Sequence, residues 1–144
     1  MTASTEVTPG STAQGKWKGR LIVVAVAAAA AMLVFLVESA VLDAVKTPAM
    51  NGQQSSDVNA GFVFVLVAIV SLVAWGLLAL LEKITARARL IWTIIAAVVL
   101  LLSVGGPLSG EGITTGNRIG LLLLHVTVAV VLIPFLPSGF RRSN

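Results

Sequence analysis

The sequence predicts an all-α fold, an integral membrane antiparallel four-helix bundle, on three observations. Four long stretches carry no charged residue, the basic residues gather at the edges of those stretches, and the two segments expected outside, Asp43 to Ala60 and Gly105 to Arg118, are rich in Gly, Ser, Asn, Thr and Pro. Composition agrees. Hydrophobic residues make up 57% of the 144 and charged residues only 11%, with a mean hydropathy of +0.99, whereas soluble domains carry about 25% charged residues. A water-soluble fold has no interior large enough to hide that much apolar surface.

Residues 1–15, rich in Thr, Ser, Gly and Ala, lack the apolar content to offset the entropy of ordering and read as a disordered cytoplasmic tail. Residues 16–140 read as the transmembrane domain, with 141–144 as a second cytoplasmic tail. The first helix is expected over about 20–42, since Lys16, Lys18 and Arg20 precede an uncharged run from Leu21 to Val37. That run is too long, and too far from the start, for the core of a cleaved signal peptide. The second helix, about 61–82, contains an uncharged stretch from Gly61 to Leu81. At 1.5 Å per residue it reaches about 30 Å, the thickness of a hydrocarbon core. The third, about 87–105, is built on the shorter run Leu90–Val104, and the fourth, about 118–136, ends beside Pro134 and Pro137, where a helix loses little by lacking a donor. Each segment satisfies its own amides within itself, as a bilayer requires, and continuous runs of this length do not have the alternation of barrel strands.

Charge sets the expected orientation. If the chain starts inside, Lys16, Lys18, Arg20, Lys83, Arg87, Arg89, Arg141 and Arg142 lie inside, and only Lys46 and Arg118 lie outside. Eight against two predicts both termini on the cytoplasmic side of the plasma membrane. Trp17 and Trp92 flank the inner basic groups, where indoles favour the headgroup level, while Trp75 lies deeper and reads as a packing residue. The basic residues form no continuous aromatic-laced face, so no nucleic-acid partner is expected.

Cysteine and tyrosine are absent and His125 is the single histidine, which removes thiolate metal sites, disulfides and most acid–base side chains. No enzyme, metal or cofactor is expected from this inventory. The ionisable residues within the apolar runs are Glu38 and His125, both placed toward the outer end of their helices. Such residues are costly in a bilayer and mark candidate sites. One reading pairs them across the bundle as a proton-handling site, extended by Ser103 and Thr127. The other has Glu38 reaching the interface and His125 bonding a backbone carbonyl as interhelical glue. Ser71 and Thr93 are expected to bond back to their own helices. Ala25/Ala29 and Ala27/Ala31 read as close-packing positions, and Gly116/Gly120 as a product of loop geometry.

The second half carries Ile91-Trp92, Leu101-Leu102-Ser103, Gly106-Pro107-Leu108-Ser109, Thr114-Thr115, Leu124-His125-Val126 and Val131-Leu132-Ile133-Pro134. This pattern resembles a family of small actinobacterial four-helix membrane proteins of unknown function. The resemblance implies fold and location, and transfers no mechanism. The function expected is that of a non-enzymatic structural or partner-binding membrane subunit, whose partners are the lipid bilayer and another membrane protein or a second copy. The alternative is a small transporter or proton-coupled carrier using Glu38 and His125.

Overall fold

The computed structural model describes residues 11–41, 45–47, 49, 54, 56–109 and 111–138, with side chains from Trp17 onward. Four helices follow in order: α1 Ser11–Val41, α2 Ala60–Ile84, α3 Ala88–Ser109 and α4 Thr115–Ser138. All four are long and apolar enough to cross a membrane. Large apolar side chains such as Leu33, Val73, Leu101 and Leu102 point outward, which suits an acyl-chain solvent and not water.

Three ends differ from expectation. α1 begins at Ser11, inside the tail expected to be disordered, because extending an existing helix adds a hydrogen bond per residue without a new nucleation cost. Residues 1–10 and 141–144, the rest of the expected tails, lie outside the described residues. α3 runs on through Gly105, Gly106 and Pro107 to Ser109, and α4 begins at Thr115. Proline near a helix end withdraws one donor without stopping the turn.

α1 packs between α2 and α4, and α3 closes the ring chiefly against α4, with α2 and α3 the most loosely packed neighbours. The core has two parts. At the end carrying the α2–α3 turn, all four helices meet through Val23 and Ala27, Leu78 and Leu81, Ala88 and Trp92, and Leu132 and Leu136. At the opposite end Ala28, Ala31, Phe35, Val63, Val67 and Leu121 come from α1, α2 and α4 alone, joined by Val45 from the α1–α2 connection. On α1 the buried residues Val23, Ala27, Ala31, Phe35 and Glu38 follow a three-to-four spacing that keeps one stripe inward. Ala27 and Ala31 fill the close-packed positions, whereas Ala25 and Ala29 face outward.

The described part of the α1–α2 connection folds over the bundle as a short antiparallel cap. Val58 N donates to Val45 O at 2.7 Å, Thr47 N to Ser56 O at 2.9 Å, and Ala49 N to Glu111 O at 2.8 Å. The cap is fixed to α4 by Lys46 N donating to Asn117 Oδ1 at 3.2 Å. At the other end Arg20, 6% exposed, donates from Nη2 to Glu82 Oε1 at 2.5 Å and so ties α1 to α2. Arg20 and Glu82 therefore form an interhelical ion pair.

Candidate functional site

The polar residues singled out from sequence fall into two places. Glu38 is 7% exposed and lies at the α1–α4 contact, with its carboxyl group seated on Gly120. A Cβ built at position 120 would stand 2.7 Å from Glu38 Cδ and 2.9 Å from Oε2. A side chain at position 120 would therefore have to displace the carboxyl end of Glu38, and both Gly116 and Gly120 lie within α4, which replaces the loop-geometry reading. Neither Glu38 oxygen has a hydrogen-bond partner among the described residues. Glu38 is thus buried against α4, three residues before the end of α1. Thr127, seven residues on from Gly120, lies on the same face of α4, about 10 Å further along.

His125 is on another face. Its Nδ1 lies 2.6 Å from the carbonyl oxygen of Leu121, one turn back on its own helix. A carbonyl only accepts, so Nδ1 is the donor, and in the imidazole form this leaves Nε2 as the acceptor. The ring bonds within α4, and it is not hydrogen-bonded to Glu38. It lines, together with Ser103, a cavity of about 530 Å³ between α2 and α3 with α4 as its floor. No residue of α1 contributes.

The cavity exists because α3 is attached at its ends. Ala88 and Trp92 are buried at one end and Pro107 at the other, and none of the residues from Thr93 to Gly106 is buried. Its walls are successive turns of apolar side chains, Phe62 to Leu77 on α2, Ile95 to Leu100 on α3, and Val128 to Ile133 on α4. Ser103 and His125 interrupt this lining, and Thr47, its hydroxyl bonded to Ser56, stands at the cap end. The Ser103 hydroxyl makes no hydrogen bond to any described residue, and Pro107 cannot return a helical hydrogen bond to the Ser103 carbonyl.

Trp92 forms the foot of the cavity. It is 3% exposed, and its Nε1 donates to the carbonyl of Ile133 at 3.2 Å. That carbonyl is the one Pro137, four residues on, leaves without a helical donor. Trp92 is thus a core residue satisfying a carbonyl freed by proline, where sequence alone suggested an anchor at the headgroups. Trp75 packs against the core, as its depth suggested. Thr93 Oγ1 donates to Arg89 O at 2.9 Å as expected of a helical threonine, but Ser71 Oγ is buried with no partner among the described residues.

Sequence reasoning missed Asn117, which is buried and holds the cap. Its signal was a lone amide just before an apolar run, read there as loop punctuation. No described group of three or more His, Asp or Glu side chains could hold a metal ion.

No curated protein and no solved structure matches the chain. Residues 11–142, which include all four helices and every residue of both sites, match a family of unknown function, and the chain belongs to that family, DUF6069.

Proposed function

We propose that this chain is a non-enzymatic membrane protein that holds a lipid hydrocarbon chain between α2 and α3. The observation that carries the reading is the stand-off of α3, whose middle turns leave an apolar gap within the span of the bundle. Apolar walls without neighbouring atoms lose dispersion contacts, and inside a bilayer the available filler is hydrocarbon. The gap runs along α2 from Phe62 to Leu77, roughly 22 Å, and a single extended hydrocarbon chain lies along such a length. The proposal includes the orientation with both termini in the cytoplasm, supported by eight basic residues against two.

The experiment is thermal unfolding of the purified chain in detergent, with and without added bilayer phospholipid. Lipid that binds the folded state raises the midpoint. Ala96→Trp, which fills the gap from α3, is expected to leave the lipid-free midpoint unchanged or higher and to remove most of the lipid response. A loss of about 1–3 kcal/mol typical of overpacking, with the lipid response intact, refutes the reading. Disulfide dimers formed through Val99→Cys reassign the gap to a second copy.

A carrier based on Glu38 is the second reading, favoured by its two buried, unpartnered oxygens. Glu38 does not line the cavity, and its place at Gly120 is on a different face of α4 from His125. This reading therefore ranks below the first.

A further inference from the structure

We infer that the occupant of the α2–α3 cavity is a long-chain fatty acid, bound as the neutral carboxylic acid with its head between His125 and Ser103. The inference rests on the lipid-chain reading above and adds the chemistry of the head.

Three hydroxyl or imidazole side chains reach the cavity, Thr47, Ser103 and His125. The Thr47 hydroxyl, at the cap end, is already bonded to Ser56, which leaves the other two to receive a ligand. Nδ1 of His125 is committed to Leu121 O, so Nε2 offers a lone pair and calls for a donor. The Ser103 hydroxyl, uncommitted among the described residues, can supply a hydrogen and calls for an acceptor. A carboxylic acid presents both functions on adjacent oxygens, O–H toward Nε2 and C=O toward the hydroxyl. An ester or a quinone has acceptors only and leaves Nε2 bare. A carboxylate has no donor and brings a charge into an apolar setting at high cost.

The tail space is consistent with this head position. From Ser103 to Trp92 is eleven residues of α3, about 16 Å, and the indole closes the far end. That span suits the extended tail of a long-chain acid.

The test uses the full chain in phosphatidylcholine nanodiscs, photolabelled with a hexadecanoic acid carrying a mid-chain diazirine. Hexadecanoic acid, methyl hexadecanoate and hexadecan-1-ol serve as competitors. Labelled peptides are expected to come from the cavity faces of α3 and α4, with labelling lost in Ala96→Trp. The free acid should compete about tenfold better than its methyl ester, the worth of one neutral hydrogen bond. His125→Ala should erase that preference by weakening the acid alone, and Ser103→Ala, at a half-buried position, should weaken acid and ester alike. Equal competition by acid and ester, by acid and alcohol, or a preference unchanged in both variants overturns the fatty-acid assignment and leaves the lipid-chain reading standing. Labelling that ignores Ala96→Trp and falls on the outward residues of α1 overturns both.

Discussion

At the scale of single residues, the contact between Glu38 and Gly120 is where α1 and α4 bring a carboxyl group against a bare backbone. The carboxyl group occupies space that any side chain at position 120 would claim. Gly120→Ala is expected to destabilise the bundle by about 1–3 kcal/mol, the range for overpacking, seen as a lower midpoint in detergent. Glu38→Ala in the same background should recover most of that loss, because the colliding group is gone. Additive losses in the double variant would show that the two positions do not share space. The sequence exposed half of this arrangement. A carboxylate after seventeen uncharged residues is conspicuous, but a glycine one turn inside a helix looks the same whether it serves a loop or a neighbour. Facing partners are a property of packing, and hydropathy carries no record of them.

At the scale of elements, α3 is the informative helix. Its attachment to α4 includes the indole hydrogen bond of Trp92 to Ile133 O, which compensates the donor removed by Pro137. Trp92→Phe keeps the ring and strands that carbonyl in an apolar setting, at an expected cost of about 1–3 kcal/mol. The cost should shrink in a Pro137→Ala background, where residue 137 can donate to the carbonyl itself. A thermal-unfolding cycle measures this coupling, and equal costs in both backgrounds would refute the account. Helix number and approximate spans were legible from uncharged run length. The ends were not, since α3 continues through Gly105, Gly106 and a buried Pro107, and α1 extends backward into a polar segment. Nor was the gap legible. The mean hydropathy of α3 is the same whether its middle touches a helix or a lipid.

At the scale of the whole molecule, the two ends of the bundle are built differently. One end holds the Arg20–Glu82 pair and the basic α2–α3 turn with Lys83, Arg87 and Arg89. The other holds the hydrogen-bonded cap, where Lys46 stands 3.9 Å from Asp57 and Arg118 donates to the carbonyl of Leu108. Charge asymmetry of this kind sets the expected insertion. Since the chain has no cysteine, single substitutions report topology without background. Ala86→Cys, in the turn, and Gln54→Cys, at an exposed position of the α1–α2 connection, are expected to react with an impermeant maleimide from opposite sides of an intact cell. Position 54 should be labelled from outside and position 86 only after permeabilisation. The reverse pattern would invert the orientation, and labelling of both from outside would undo the four-crossing topology.

The position of Trp92 has an optical consequence. Its indole borders the space between α2 and α3 and is one of three tryptophans in the chain. With Trp17 and Trp75 changed to Phe, the remaining fluorophore would sense whatever quencher or brominated chain enters beside it. The fold thus contains its own spectroscopic gauge of occupancy, readable without any attached dye.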